Sequence, residues 1–424
     1  MARRKTGRFD NPALPEEAYL SAEASCRRLG IKRASLYSYV GRHGIRTTKV
    51  GRNRYYHRSD IERIAVRSAA RRGHGPVAAG ALQWGEPVLD SALSTIAEGR
   101  LYYRGRDVVA WWRTGARFED VVRHLWEATE VSFVPVAALR RRRRRPSAGG
   151  TTPVDHMVRR LLEVAESDPH AQAPASAATE RARAARLIAS LATTLGKATG
   201  SHGRATSLSS RVAARLGRAD ASALVEAVLV LCADHELNVS TFAVRVAASA
   251  GADLYGAVGA GLFTFGGTQH GTSSLRANQF VTSACRRGVS RAVRERVRRG
   301  DPLPGFGHAL YPAGDPRVPP LLETARGFDG VGVQAAKRLR EVDRVIDEVA
   351  RVTGLEPNLD LGLVAVCRAA GWDGDIGSAL FALGRGAGWV AHVFEQRRSP
   401  TLLRPRARYV GPPLSDGAGV VPAQ

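Results

Sequence analysis

Seven residues in the second half of the 424-residue chain have the types needed for carbonyl and carboxylate chemistry. His235 stands between two acids in ADHELNVSTFAVR (233–245). His270 is followed directly by a glycine in FGGTQHGTSS (265–274), and His308 and Arg317 sit nine residues apart in GFGHALYPAGDPR (305–317). Asp360 ends PNLD, Arg385 lies in ALGRGAGWVAHVFEQ, and Arg404 lies in LLRPRARYVGP. A carboxylate can act as a general base, and an imidazole N–H can donate to an oxygen on which charge develops. A guanidinium fork grips a carboxylate through two parallel bonds. Taken singly, each histidine reads more readily as a satisfied structural residue. The glycines and prolines of 305–317 break helix and strand periods, so His308 and Arg317 belong to a shaped loop. Metal ligation is not expected: no two histidines are spaced i,i+4 on a helix, and no HExxH occurs.

Taken together and in this order, the segments DHELN…STF, HG, GFGH…DPR, PN.D, GR..GW.AH and RPRA.Y resemble the citrate synthase family. ALSTIAEGRLYYRGRD (92–107) extends the resemblance, which runs from about residue 91 to about residue 412 and is weakest over 130–220. The resemblance implies a mainly α fold with large and small helical domains, the small one at roughly 272–375. It implies an enzyme that condenses acetyl-CoA with oxaloacetate to give citrate and CoA, with the acyl-CoA as substrate and no cofactor. Asp360 would then be the base, His270 the donor to the enol oxygen, and His308 the group that polarises the oxaloacetate carbonyl. His235, Arg317 and Arg385 would bind oxaloacetate, and Arg404 would enter from the neighbouring subunit of a homodimer with shared sites. Two alternatives stay open: a 2-methylcitrate synthase using propionyl-CoA, and a DNA-binding regulator that uses the synthase domain as a metabolite sensor. Two positions depart from the family pattern. Pro312 replaces a basic residue that usually meets a CoA phosphate, and Thr272-Ser273-Ser274 replaces the usual Gly-Ala-Asn.

The elements that must hold these residues read as helices. Apolar residues recur at three- and four-residue spacing over 121–128, 158–166, 180–195, 221–233, 239–250 and 333–352, and convincing strands are few. Six consecutive arginines, Arg140–Arg145, repel one another and predict an exposed loop, with contact to DNA or CoA phosphates as an alternative.

The first 75 residues differ from the rest. They hold 18 Lys/Arg against 6 Asp/Glu, half of the chain's net charge of +24. Ser21 can cap a helix that Gly30 stops, and a second short helix follows over 34–42. A basic hairpin around Gly51-Arg52-Asn53 comes next, then a helix capped at Ser59 or Asp60. This order resembles the winged helix-turn-helix of excisionases and mercury-resistance-type regulators. It predicts duplex DNA as a partner, with Lys32, Arg33, Ser35, Tyr37, Arg52 and Arg54 as candidate contacts. The expected layout is therefore a winged domain at 1–75, a linker at 76–90, the synthase-like domain at 91–412 and a tail at 413–424. The four cysteines, Cys26, Cys232, Cys285 and Cys367, show no CxxC pairing, which fits a reducing cytoplasm. The N-terminus lacks an apolar signal core, and the longest apolar run, 246–267, is interrupted by Asp253 and suits packed helices rather than a membrane span.

Overall fold

The computed structural model describes residues 19–29, 31–43, 45–50, 53–58, 60–61, 64, 89–135, 151–196, 207–330, 332–405, 407 and 409–412. In the N-terminal region the Ser21 hydroxyl accepts from the Ala24 amide at 3.1 Å and caps α1 (Ala22–Leu29), as the sequence predicts. After a short turn comes α2 (Arg33–His43), then an antiparallel hairpin. A short strand, β1 (Tyr19–Ser21), pairs with β3 (Asn53–His57) on the side opposite β2 (Thr47–Val50). Its three residues are too few to show alternation, so the sequence does not announce it. Leu29, Leu36, Ile45, Tyr56, Ile61 and Ile64 form a core separate from the main one. Asp60, read as one of two possible helix caps, is buried and accepts from both the amide and the Nε of Arg46, at 2.9 Å each. It thereby ties the base of the wing to the segment that follows it.

The main body opens with a three-stranded meander, β4 (Ser94–Ala97), β5 (Arg100–Tyr103) and β6 (Arg106–Asp107). Helices follow: α3 (Val108–Arg113), α4 (Phe118–Trp126), α5 (Pro153–Glu166), α6 (Ala177–Ala192), α7 (Leu208–Arg215) and α8 (Ser222–Leu231). Then come α9 (Val239–Ser249), α10 (Leu254–Phe265), α11 (Ser273–Arg287) and α12 (Val289–Arg299). The last four are α13 (Val318–Arg326), α14 (Val333–Thr353), α15 (Leu359–Ala370) and α16 (Gly374–Arg397). The fold is thus mainly α. Several helices start earlier than their first apolar repeat. Thr152 with Pro153, and Ser176, cap α5 and α6, so capping chemistry rather than hydrophobic period sets those N-termini. Arg140–Arg145, Arg52, the 76–88 linker and the 413–424 tail lie outside the described residues.

Two helices, α8 and α16, are apolar almost all round and form the centre of the core. Their closeness depends on glycine. A β-carbon on Gly388 would fall 2.4 Å from the Ala233 carbonyl oxygen, which the Gly388 amide already meets at 2.9 Å. Because α16 lies this tightly against the end of α8, Arg385 is carried into the interior beside Cys232, and its Nε donates to the Cys232 carbonyl at 2.9 Å. No helix among the described residues is long and apolar enough to cross a membrane.

Candidate active site

Four helix N-termini meet around the polar residues singled out above. His235 precedes α9, His270 precedes α11, Arg317 immediately precedes α13, and Asp360 lies in the first turn of α15. Asn238 and Asn358 cap α9 and α15 by accepting from the amides of Thr241 (3.2 Å) and Asp360 (3.0 Å). The positive ends of these helices favour an anion between them.

The loop 305–317 is locked to the segment before Asp360. Gly307 N donates to Glu356 O at 2.8 Å, Asn358 N to Gly305 O at 2.9 Å, and Asn358 Nδ2 to Gly307 O at 3.0 Å. Gly305, Gly307 and Gly314 all adopt left-handed φ, at 92°, 74° and 102°. This is the physical reason that His308 and Arg317 occur in a glycine-rich stretch. The loop then folds Tyr311 onto His235, with the hydroxyl 3.0 Å from His235 Nε2, and the rings of His235 and His308 are 5.7 Å apart.

The turn bearing His235 is held from behind. Glu236 takes a left-handed φ of 49°, and its amide donates to Ser94 Oγ at 2.8 Å while its carboxylate accepts from Ile96 N at 2.7 Å. Asp234, fully buried, accepts from Ser94 Oγ at 2.5 Å and pairs with His392 Nε2 at 3.2 Å. Burial alone would raise the Asp234 carboxyl; His392 and the other partners override this and hold it low.

The electrostatics divide the residues by role. Burial pushes the Asp360 carboxyl up to about 7, against the opposing charges of Arg317 and Arg276. His270 is driven down to about 4 by burial and then by the Arg385 charge. His308 is lowered by burial and by Arg317, and His235 is held well below its ordinary range by burial, Arg317 and Arg385. All three rings are therefore neutral near pH 7. The amide of Leu310 donates to His308 Nδ1 at 3.1 Å, so the proton of the neutral ring sits on Nε2. His270 Nε2 lies 2.8 Å from Ser240 Oγ, which also accepts from Trp389 Nε1 at 3.2 Å. The rings of Phe265 and Phe381 lie 5.2 and 6.4 Å from that of His270.

Both interior arginines have capacity to spare. Arg317 makes a two-pronged pair with Asp315, Nε to Oδ1 at 2.9 Å and Nη2 to Oδ2 at 2.6 Å. Burial alone would lower Arg317, but Asp315 outweighs it and raises it, so the guanidinium stays charged. Arg317 Nη1 and Arg385 Nη2 are nonetheless buried with no hydrogen-bond partner among the described residues. A buried unsatisfied N–H costs roughly 1–3 kcal/mol, more on a charged group, and two carboxylate oxygens would remove both deficits. The structure thus brings His235, His270, His308, Arg317, Asp360 and Arg385 close enough to act on one another's charge. Arg404 is not among them: it lies exposed on the extended segment after α16, with no hydrogen bond to these residues among the described ones. Ser240, Tyr311 and Asp315 were missed by the sequence reading. Asp315 alone carried a usable signal, since an acid two residues from a buried arginine is its natural partner.

Comparison with known proteins identifies the two parts of the chain. A family profile described as "Citrate synthase, C-terminal domain" matches residues 81–406, and one described as "Helix-turn-helix domain" matches 19–65. Citrate synthase 2 of Bacillus subtilis is 33% identical over 185 residues, 43% of this chain and 50% of that protein. The 2-methylcitrate synthase of Mycobacterium tuberculosis is 29% identical over 189 residues, 44% of this chain and 47% of that protein. The chain spans about half the length of the curated relatives it matches. Among solved structures, the ternary complex of Thermoplasma acidophilum citrate synthase with carboxymethyl coenzyme A and oxaloacetate superposes with a TM-score of 0.64. That match is at 22% identity and covers 79% of this chain and 96% of that one. Citrate synthase of Thermotoga maritima gives a TM-score of 0.62 at 22% identity, covering 80% and 96%. With most of its length matched by the family profile and its fold shared with these enzymes, the chain belongs to the citrate synthase family.

Proposed function

We propose that the protein is an acyl-CoA:oxaloacetate C-acyltransferase that forms citrate from acetyl-CoA, oxaloacetate and water, releasing CoA. The observation that carries this reading is the pair of buried arginines with unspent N–H groups beside neutral histidines and a carboxyl near pH 7. Asp360 takes the proton from the carbon next to the thioester, which a carboxylate can do only if its own proton affinity is raised toward the working pH. The enol oxygen accepts from a ring N–H of His270, whose position Ser240 fixes through the 2.8 Å contact with His270 Nε2. His308 Nε2–H polarises the keto oxygen of oxaloacetate, while Arg317 and Arg385 hold its carboxylates. The enol carbon then attacks the keto carbon, and hydrolysis of the new thioester frees CoA. The same machinery would serve propionyl-CoA and 2-methylcitrate, a second reading that the 29%-identical 2-methylcitrate synthase supports.

The assembly completing the site is a homodimer in which Arg404 reaches the partner's cleft. Exposed apolar side chains support it: Leu162 on α5, Val239 on α9 and Phe263 on α10 are 49, 64 and 63% exposed. Duplex DNA is the second partner, supported by Lys32, Arg33 and Tyr37, all exposed at the start of α2, and by Ser35 and Arg54, half-exposed beside them. Calorimetric titration with oxaloacetate tests the core of the reading. Binding to the wild type with a loss of about 10²-fold in Arg317→Ala or Arg385→Ala is expected for a buried charged pair. Equal affinity in all three proteins contradicts it.

A further inference from the structure

The segment that opens the main body, ALSTIAEG (92–99), contributes no residue to the candidate site, yet it is bonded to what holds that site. Just before it, Ser91 Oγ donates to the Glu395 carboxylate at 2.9 Å, and the Ala92 amide does so at 2.8 Å, which ties the segment to the end of α16. Ser94, the first residue of β4, meets the turn that carries His235. Its Oγ donates to Asp234 Oδ2 at 2.5 Å and accepts from the Glu236 amide at 2.8 Å. One hydroxyl therefore grips both neighbours of His235. Two residues on, the Ile96 amide donates to the Glu236 carboxylate at 2.7 Å. Helix α16 holds the same turn from the other side. Arg385 Nε donates to the Cys232 carbonyl, the Gly388 amide donates to the Ala233 carbonyl, both at 2.9 Å, and His392 Nε2 lies 3.2 Å from Asp234 Oδ2. Positions 385, 388 and 392 share one helix face. The helix that carries Arg385 thus also reaches Asp234, which is clamped between β4 and α16.

Glu236 gives the clamp its purpose. Its φ of 49° is left-handed, a conformation that a residue with a side chain keeps only where its surroundings impose it. His235 shares a peptide bond with Glu236, so a relaxed turn would carry the imidazole with it. We propose that Ser94 is a positioning residue for the condensation: its hydroxyl fixes the backbone on both sides of His235 and so sets that ring against Arg385 for oxaloacetate. The proposal rests on the acyltransferase reading, in which both groups meet that substrate, and Ser94 acts only through His235. Alanine at 94 removes the donor to a buried carboxylate and the acceptor for an amide at once. Threonine keeps both and suits a strand.

The test is calorimetric titration with oxaloacetate of the full-length wild type, Ser94→Ala and Ser94→Thr, with steady-state kinetics and thermal melting on the same samples. Ser94→Ala should bind oxaloacetate about tenfold more weakly. Its KM for oxaloacetate should rise while its KM for the acyl-CoA stays unchanged, and Ser94→Thr should bind like the wild type. Ser94→Cys, which keeps the bulk and has only a weak donor, is the second variant and should also lose affinity. A lower melting temperature with wild-type oxaloacetate affinity in Ser94→Ala and Ser94→Cys overturns the assignment, because the hydroxyl is then structural only. An equal loss in Ser94→Thr, or a matching rise in KM for the acyl-CoA, overturns it too. The wild type separates this assignment from the reading beneath it. If it binds oxaloacetate and the variants bind equally well, only the role of Ser94 falls. If it neither binds oxaloacetate nor releases CoA from acetyl- or propionyl-CoA, the acyltransferase reading falls and the role of Ser94 falls with it.

Discussion

At the scale of single residues, the cleft is a set of costs that a substrate removes. Arg317 and Arg385 are like charges placed close together, and only one has an acid of its own. Asp360 is held near neutrality by burial, where an exposed aspartate would be ionised. This has a kinetic consequence with a definite sign. A base must be deprotonated, and Asp360 loses its proton only as pH rises through about 7. We therefore expect kcat/KM to fall with unit slope below about pH 7. A flat profile from pH 5 to 8 would remove Asp360 from the role of base. The proposed roles come from the resemblance that six spaced segments together bear to the family, since each segment alone reads as structural. Ser240 and Tyr311 were not readable, because a serine inside a helix or a tyrosine in a loop has no distinguishing pattern until folding brings it to His270 or His235.

At the scale of elements, helix N-termini and one glycine-shaped loop do the positioning. Hydrophobic period revealed α4 to α6, α8, α9 and α14. It said little about α16, where burial on all sides erases the amphipathic signal, or about β1 and β4 to β6, which are too short to alternate. The N-terminal helices and hairpin were legible from caps and glycines, since these signals are local. Their predicted use is also local. The exposed basic start of α2 should bind duplex DNA selected from random sequence, with affinity falling steeply between roughly 0.05 and 0.2 M salt as phosphate contacts release counterions. Arg33→Ala should weaken every sequence, while Tyr37→Ala should change which sequence is preferred. A gel-shift series showing neither enrichment nor salt dependence would leave α1, α2 and the wing as a structural unit.

At the scale of the molecule, a winged helix-turn-helix precedes a synthase fold in one chain. Arg404 is exposed, and the proposed homodimer would place it in the partner's site. Arg404→Ala and His308→Ala proteins, each nearly inactive alone, should regain activity when refolded or exchanged together, because one site of each mixed dimer is then intact. Mixtures no more active than their components would refute the shared site. The central claim is the condensation itself, and its most direct measurement is thiol release. Purified full-length protein is given oxaloacetate with acetyl-CoA or propionyl-CoA, alongside Asp360→Asn. The wild type should release CoA with at least one of the two thioesters only when oxaloacetate is present, and Asp360→Asn should lose nearly all of that rate while still binding oxaloacetate. CoA release that is absent with both thioesters, or equal in Asp360→Asn, would contradict the assignment.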